Sequence, residues 1–375
     1  MTLKAKQSNM LFWTKRKLTP LLVLVGLATA LVSCSDNSSS TGYDQPSAEY
    51  SAEVWQYLNK ANERENLDEA GRKGYEAHEW RLEVKNTDKT LPENFRWSGG
   101  EFWQTGEDSY LPELGYTPSR KGLDGLMLSG SGRFSLKQLD SLTAWVNEKA
   151  KGKKKVLIDL RSEAHGFVNG HHVSWYGYIN WSNIGKKRDQ IVSEEEKLIH
   201  SLVGKTIVAG KISSSNNYVM TDSTWILVHA DSAQTEREVM EHAGWEYRRI
   251  TALDHVFPSD EIIDQVIDCF RTLPEDAWVH FHCQAGRGRT TLWMSFFDMM
   301  NNPDVSLKDI LYRQCQLGGT SMYYKGERPD EQPWRVSLFT ETSYLVPLLY
   351  DYVQANKSND FAVSWSEWKR ETFGL

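Results

Sequence analysis

Two patterns of hydrophobic and polar positions alternate along the second half of the chain. Short apolar runs of strand length stand before stretches in which apolar residues recur at helical spacing. The runs predict strands at KVLIDL (155–160), TWILVHA (224–230), EYRRITA (246–252) and AWVHFH (277–282). The periodic stretches predict helices at TEREVMEHAG (235–244), SDEIIDQVIDCFRTL (259–273) and RTTLWMSFFDMM (289–300). Repeated strand–helix–strand units predict an α/β fold, a parallel sheet with helices on both faces.

The segment from about 166 to 223 lacks this alternation and is rich in Gly, Asn, Ser and aromatic residues. It predicts a small, inserted, mainly β subdomain, and it leaves 51–165 and 224–375 for the α/β core. Two glycine-containing stretches do not predict nucleotide sites. SGSGRF (129–134) has two glycines without a third and predicts a turn. LVGKTIV (202–208) is preceded by Ile199 where a Walker loop requires glycine, so it does not predict ATP binding.

The first residues have the pattern of a processing signal. A basic leader precedes the apolar stretch LTPLLVLVGLATALVS (18–33), which is shorter than the ~20 residues of a spanning helix. The stretch ends in LVSC (31–34), which resembles a bacterial lipobox, whose cysteine (here Cys34) is acylated after cleavage behind residue 33. The alternative is an ordinary signal peptide or a short anchor. Residues 34–50 are polar and predict a flexible tether, and Ser35 favours an outer-membrane lipoprotein.

Composition narrows the function only slightly. The 375 residues are 40% hydrophobic with a formal charge of −7, which predicts an ample core and gives no sign of nucleic-acid binding. An anionic ligand would therefore need a local basic patch. The four cysteines are Cys34, Cys269, Cys283 and Cys315. Their spacing predicts neither a disulfide framework nor a metal-binding group. Cys269 is expected to lie on the apolar face of the predicted helix 259–273, and Cys315 is expected to be buried rather than reactive.

HFHCQAGRGRTTLW (280–293) places a cysteine between a predicted strand and a predicted helix. The backbone amides from Gln284 to Arg289 would surround a small anion above the helix N-terminus. Gly286 and Gly288 permit the tight turn and the close approach of a ligand. Ordinary packing of a strand-end thiol is the alternative. The combination of cysteine, glycine-rich turn, arginine and threonine instead favours Cys283 as a nucleophile.

Neighbouring residues supply the other parts of a thiol-based phosphoryl transfer. Arg289 offers a two-pronged donor to phosphate oxygens, and the Thr290 hydroxyl can donate to the sulfur. His282 is expected to orient the cysteine backbone. Asp254, in ITALDHVFPSD (250–260), is the candidate general acid for the leaving oxygen, with a loop aspartate as the alternative. His255 is expected either to contact phosphate or to hold that loop.

HCQAGRGRTT (282–291), preceded by TALDHVFP (251–258), resembles the active site of the protein-tyrosine-phosphatase superfamily. It is most similar to the bacterial cysteine phytases, the phosphatase-like inositol phosphatases. Further similar stretches are LPENFRW (91–97), LSGSGRFS (128–135), IDLRSEAHGFVNGHHVSWYG (158–177), ILYRQCQLGG (310–319) and WSEWK (365–369). The resemblance implies a phosphatase core with a small β-barrel-like subdomain. It also implies stepwise hydrolysis of myo-inositol hexakisphosphate through phosphocysteine, without a metal or another cofactor.

The resemblance also implies roles for individual residues. Cys283 is the implied nucleophile, Arg289 the phosphate binder and Asp254 the general acid. The implied substrate contacts are Arg96, Asp159, Lys205, His255, Gln284, Ala285, Gly286, Arg287, Gly288, Lys325, Arg328 and Arg335. Arg287 and Gly204 depart from the phytase pattern, where a small apolar residue and a histidine are expected. A phosphotyrosine or phosphoinositide phosphatase, and a non-catalytic lipoprotein that binds inositol phosphates, remain alternatives.

Overall fold

A computed structural model of the chain describes residues 50–102, 111–113, 115–211, 226–323 and 332–375. Its strands are β1 (Glu79–Val84), β2 (Arg96–Trp97), β3 (Leu128–Ser131), β4 (Lys155–Asp159), β5 (His165–Val168), β6 (His171–Tyr176), β7 (Thr206–Gly210), β8 (Ile226–His229), β9 (Ala233–Thr235), β10 (Glu246–Arg249) and β11 (Trp278–His282). Its helices are α1 (Ala52–Tyr57), α2 (Lys60–Glu65), α3 (Glu69–Arg72), α4 (Leu136–Ala150), α5 (Arg188–His200), α6 (Glu236–His242), α7 (Asp260–Arg271), α8 (Gly288–Asn301), α9 (Leu307–Gln316), α10 (Pro333–Asn356) and α11 (Trp365–Phe373).

The predicted parallel sheet is the centre of the fold. Five strands lie in the order β10-β4-β11-β3-β2, and all neighbours are parallel except β2, which runs antiparallel to β3. Apolar residues of α7, α8, α9, α10 and α11 pack on one face, and those of α4 and α6 pack on the other. This arrangement confirms the predicted α/β fold. A strand that is buried on both faces needs apolar residues at successive positions, which explains the apolar runs of β4 and β11.

The stretch SGSGRF was predicted to be a turn, and this prediction is wrong. Ser129 to Ser131 belong to β3, which pairs with β11 along its whole length. Gly130 explains the unusual composition. A Cβ at this position would lie 2.5 Å from Met294 Sδ and 2.7 Å from Thr290 Cγ2, so only glycine lets α8 pack this closely on the sheet.

A second sheet of six strands has the order β8-β7-β1-β6-β5-β9. Its strands come from more than the segment 166–223, because β1 precedes that segment and β8 and β9 follow it. The predicted boundaries of the inserted subdomain stay a prediction. TWILVHA differs from its prediction as a buried strand. β8 is an edge strand in which Val228 is buried and Leu227 is 75% exposed. Its alternation shows one face on the core and one face outward.

The parallel strands bring several chain segments to one edge of the central sheet. Because the strands point the same way, the segments after β3, β4, β10 and β11 all leave at the carboxyl edge. Helix α6 begins nearby with a capping box between Thr235 and Glu238, which fixes Glu236 as its first residue. The predicted leader, most of the tether and Cys34 lie outside the described residues. Within the described ranges, no helix is both long and apolar enough to cross a bilayer.

Candidate active site

The loop from Cys283 to Gly288 joins β11 to α8 at the carboxyl edge of the central sheet. Gly286 has a φ of 72°, and a Cβ there would lie 2.2 Å from the Gly132 amide nitrogen after β3. Both the backbone conformation and the close approach therefore require glycine at 286. A Cβ at Gly288 would meet no described atom within 4 Å, so packing does not require that glycine. Its predicted role, the close approach of a ligand, stays a prediction.

The Cys283 sulfur lies inside the loop and is the acceptor of two hydrogen bonds. The Gly286 amide donates to Sγ at 3.3 Å, and Thr290 Oγ1 donates at 3.2 Å. Both donors stabilise a thiolate, and the N-terminus of α8 adds its positive end. Cys269 differs, because burial raises the pKa of its thiol. Cys269 and Cys315 are buried on α7 and α9, as the sequence predicted.

Two side chains from the segment around β2 hold the loop from behind. Asn94 Nδ2 donates to the Ala285 carbonyl at 2.8 Å, and Arg96 donates from Nη1 to the Gly286 carbonyl at 2.6 Å. Arg96 also donates to Thr291 Oγ1 at 3.1 Å and is only 3% exposed. The Arg96 guanidinium therefore braces the loop, and the substrate contact that the resemblance implies for it stays a prediction. Burial lowers the pKa of Arg96 to about 10, against the opposing charge of Cys283.

Arg289 is held in one orientation by a carboxylate that the sequence analysis did not identify. Its Nη1 and Nη2 donate to the two carboxylate oxygens of Glu163 at 2.9 and 3.1 Å. Nη1 also lies 3.3 Å from the Leu160 carbonyl and 3.2 Å from the Ala252 carbonyl. Burial opposes the charge on Glu163, but Arg289 and Arg161 outweigh it and hold its pKa well below the usual range. The pair thus stays ionised and fixes the guanidinium plane.

Asp254 lies in the loop after β10 and reaches the same guanidinium. Its Oδ2 is 3.1 Å from Arg289 Nη2 and accepts a hydrogen bond from Asn180 Nδ2 at 2.8 Å. Trp181 Nε1 donates to the Asp254 carbonyl at 2.9 Å, so the loop is fixed from outside the core sheet. Burial alone would raise the pKa of Asp254, but the charge of Arg289 outweighs it and the net pKa is lowered.

The loop is also tied to the six-stranded sheet. Gln284 Nε2 donates to Glu83 Oε2 at 3.0 Å, and Glu83 lies on β1. Arg161 Nη2 donates to the other oxygen of Glu83 at 3.0 Å. Burial works against the charge of Glu83, but its arginine neighbours lower its pKa far below the usual range. The predicted phosphate-facing residue Gln284 therefore has its side chain committed to the second sheet.

His282 and Asp159 lie beneath the loop, and both are fully buried. His282 Nε2 is 2.6 Å from Glu236 Oε1 and 3.5 Å from Asp159 Oδ1. Asp159 accepts a hydrogen bond from the Tyr247 hydroxyl at 2.7 Å and lies 3.0 Å from Arg249 Nη1. Asp159 therefore lies in the floor of the site, and the substrate contact that the resemblance implies for it stays a prediction.

Two overlapping groups in this floor have spacings that a metal ion could use. They are His165, His172 and Glu236, and Asp159, Glu236 and His282, and the possible ligand atoms of each group lie within 4.8 Å of one another. Arg249 lies directly on Asp159, and Arg161 lies 3.4 Å from His172 Nε2. These guanidinium groups already supply positive charge to the floor, so protons on histidine suffice to balance it.

The remaining predicted substrate residues lie at different places. Arg287 is exposed at the outer turn of the loop, and Lys205 is exposed just before β7. The His255 ring packs edge-on against Trp334 at 5.3 Å, at the start of α10. Burial lowers the pKa of His255, and Arg335 in the first turn of α10 lowers it further, so α10 reaches the site. Lys325 and Arg328 lie outside the described residues.

Sequence reasoning missed Glu163, Glu236, Asn94 and Asn180, which hold the predicted residues in place. Only the position of Glu163 in the chain could have indicated its role. It follows β4 by four positions, in a segment that must leave the sheet beside the cysteine strand. Glu236 was assigned to a helix start, where an acidic residue is ordinary, so nothing in the local sequence distinguished it.

Comparisons with known proteins agree with this geometry. A family model of PTP-like phytases matches residues 158–301, from the end of β4 to the end of α8. The description of that family is "Inositol hexakisphosphate". The effector protein hopD2 of Pseudomonas syringae pv. tomato is 27% identical over 279 residues, which are 72% of this chain and 56% of the effector.

Solved structures show the same likeness. The tandemly repeated protein tyrosine phosphatase like phytase of Mitsuokella multacida is 38% identical with a TM-score of 0.74, over 84% of this chain and 52% of that chain. A PTP-like myo-inositol phosphatase of the same organism, in complex with myo-inositol-(1,3,4,5)-tetrakisphosphate, has a TM-score of 0.72 at 38% identity and the same coverage. A PTP-like phytase of Bdellovibrio bacteriovorus is 28% identical with a TM-score of 0.57, over 78% of this chain and 96% of that chain. This chain spans about half the length of the two Mitsuokella chains and of the effector.

The ion pair between Glu163 and Arg289 leads to a prediction about stability. Glu163→Gln keeps the side-chain shape but leaves two buried guanidinium groups without their shared charge. We expect the free energy of unfolding to fall by about 3–5 kcal/mol, measured by urea denaturation. Glu196→Gln, an exposed glutamate on α5, is the control and should change it by no more than about 0.5 kcal/mol. Equal unfolding midpoints for the two variants would contradict the assignment.

Proposed function

The chain belongs to the family of protein-tyrosine-phosphatase-like phytases, and we propose that it hydrolyses inositol polyphosphates through a phosphocysteine intermediate on Cys283. One observation carries this proposal. The Cys283 sulfur accepts two hydrogen bonds and lies in the same buried site as the Arg289 guanidinium. That guanidinium also contacts the carboxylate of Asp254, in the loop after β10.

In the first step the Cys283 thiolate attacks phosphorus, and the bond from phosphorus to the ester oxygen breaks. Asp254 gives its proton to the departing inositol oxygen. In the second step water attacks the phosphocysteine, and Asp254 takes one proton from that water. The bond between sulfur and phosphorus breaks, which releases inorganic phosphate and restores the thiolate.

Arg289 changes partners during this cycle. Its Nη2 faces both Glu163 and Asp254 when no phosphate is present. A bound phosphate would compete with Asp254 for this donor, while Glu163 keeps the guanidinium in the correct plane. The site therefore has its electrostatic stabiliser aligned before the substrate arrives.

Basic groups near the loop support a polyphosphorylated substrate. Arg287 is exposed at the outer turn, next to the residue at which α8 begins. Arg335 lies close enough to His255 to lower its pKa. A ring with several phosphates would reach these groups from the catalytic loop, whereas a single phosphoester would not. This supports inositol polyphosphates over a phosphotyrosine peptide.

We also propose that the protein is exported and lipid-anchored at Cys34. The basic leader, the short apolar stretch and LVSC support this proposal. Labelling with a radioactive fatty acid tests it, and Cys34→Ala should remove the label.

The first test of the proposed function is phosphate release from myo-inositol hexakisphosphate by wild type and Cys283→Ser, in excess chelator. We expect chelator-resistant release by wild type and none above background by the variant, because serine is a far weaker nucleophile here. Cys269→Ser replaces a buried thiol of α7 and should keep the wild-type rate.

A phosphotyrosine peptide and a phosphoinositide are assayed in parallel. Release from either of these alone would move the protein to another branch of the phosphatases. Release from none of the three substrates would refute the proposed function and favour a binding protein.

The second test concerns Asp254 and pH. The pKa of Asp254 is lowered in the free enzyme, mainly because the charge of Arg289 outweighs burial. A bound phosphate takes up Arg289 and adds negative charge, and both changes raise that pKa. The wild-type kcat should therefore fall as pH rises through the raised pKa, because the acid loses its proton. Asp254→Asn should lack this fall.

The same variant can be tested with two leaving groups. On inositol hexakisphosphate Asp254→Asn should lose about 10²–10⁴ in kcat. On p-nitrophenyl phosphate, whose leaving group needs no proton, the loss should be much smaller. Equal losses on both substrates would contradict the role of general acid.

The third test concerns substrate class. Arg287→Ala should lower kcat/KM for hexakisphosphate about tenfold or more, because a charge-assisted hydrogen bond contributes about 1.5–3 kcal/mol. Its effect on p-nitrophenyl phosphate should stay near twofold. Arg370→Ala, an exposed cation on α11, is the control and should change neither value. If Arg287→Ala lowers kcat/KM equally for both substrates, Arg287 does not bind a second phosphate.

A further inference from the structure

A cluster of three histidines and several acids lies between the two sheets, beneath the catalytic loop. His165 is on β5, His172 on β6 and His282 on β11, and all three are fully buried. Glu236, the first residue of α6, is also fully buried and lies among them. The cluster thus connects the six-stranded sheet to the strand that carries Cys283.

The groups around the two ring nitrogens of His165 indicate where it carries protons. Its Nδ1 lies 2.8 Å from the Glu163 carbonyl oxygen, which can only accept, so Nδ1 carries a hydrogen. Its Nε2 lies 3.2 Å from Asp159 Oδ2 and 3.2 Å from Glu236 Oε2. A lone pair on Nε2 would face two carboxylates and be repelled. A proton there turns both contacts into attractions, so His165 is an imidazolium.

The groups that face His165 come from every element packed around it. They are Asp159 on β4, Arg161 after β4, His172 on β6, Glu195 on α5, Glu236 on α6 and Arg249 on β10. Burial and Arg161 lower the pKa of His165, but the carboxylates of Asp159 and Glu195 outweigh them and raise it to about 9. The positive charge on His165 is therefore retained at neutral pH.

His172 does not compete for this role. His172 Nε2 lies 3.4 Å from Arg161 Nη1, which can only donate, and also 3.4 Å from Glu236 Oε2, which can only accept. Burial, reinforced by Arg161, lowers the pKa of His172 to about 4. Glu236 thus contacts His165 and His172 through Oε2 and His282 through Oε1.

The contact with His282 leads directly to the nucleophile. Glu236 Oε1 is 2.6 Å from His282 Nε2, and Cys283 is the next residue in the chain. The His282 carbonyl accepts a hydrogen bond from the Leu160 amide at 3.0 Å, so the backbone at this point is held as well. Movement of the His282 ring would therefore displace the end of β11, where the loop begins.

We propose that Glu236 is a positioning residue that fixes the Cys283 loop through His282, and that the His165 imidazolium fixes Glu236 in turn. This proposal rests on the proposed phosphatase function only in its kinetic part. It gives the six-stranded sheet a role in the reaction, because His165 belongs to that sheet.

The kinetic test compares Glu236→Gln with Glu241→Gln, an exposed position on the same helix. For p-nitrophenyl phosphate, Glu236→Gln should lower kcat about tenfold to a hundredfold, the scale of a small misplacement of a reacting group. KM should stay within about twofold, because Arg289 and the loop amides that bind phosphate remain. The control should match wild type. A wild-type kcat for Glu236→Gln would overturn the proposal.

Two readouts do not depend on turnover. The rate at which iodoacetate alkylates Cys283 should change several-fold in Glu236→Gln and remain unchanged in the control. In wild type labelled with ¹⁵N-histidine, NMR should show His165 protonated on both nitrogens at pH 7.5, with loss of one proton near pH 9. His165→Gln identifies the signal. These readouts keep their meaning if no phosphate ester is hydrolysed, a result that would refute the proposed function alone.

The proposal can still be tested if the variant fails to fold. If Glu236→Gln does not fold, the wild-type NMR spectrum decides, and a neutral His165 at pH 7.5 would overturn the proposal. Metal analysis of the purified wild type is the last check. One tightly bound transition-metal ion per chain would also overturn it, because the carboxylates would then hold a cation in place of the His165 proton.

Discussion

The ion pair between Glu163 and Arg289 is the interaction on which the site depends. Arg289 is buried, and a buried charge is stable only with a partner. Glu163 supplies that partner and holds both Nη atoms in one plane. Because Arg161 shares the same carboxylate, the pair extends to Glu83 on the six-stranded sheet. Arg289 is thus the end of a chain of alternating charges that crosses the interior.

A second constraint is the closeness of backbone segments around the cysteine. Gly130 lets α8 approach β3, and Gly286 lets the loop approach Gly132. Asn94 and Arg96 then occupy the outward carbonyls of the loop, so the Gly286 amide is free to turn toward the sulfur. These contacts hold the loop in a form that directs an amide donor toward the sulfur.

The sequence predicted those parts that depend on local pattern. β4, β11, α7 and α8 follow from apolar periodicity, and the cysteine loop follows from residues that are close together in the chain. β3 was misread because its serines and glycines resemble a turn, and only packing against α8 makes them a strand. Glu163 was missed because its partner Arg289 lies 126 positions away, a pairing that no local pattern encodes.

The predicted boundary of the small subdomain rests on composition alone. It assumed that a change in composition marks a separable unit, but the two sheets share buried charges. Arg249 on β10 is balanced by Asp159 of its own sheet and by Glu195 on α5. Separating the sheets would leave such groups buried without partners or expose them to water, and either outcome is costly. The six-stranded sheet is therefore part of the structure that holds the cysteine loop in place.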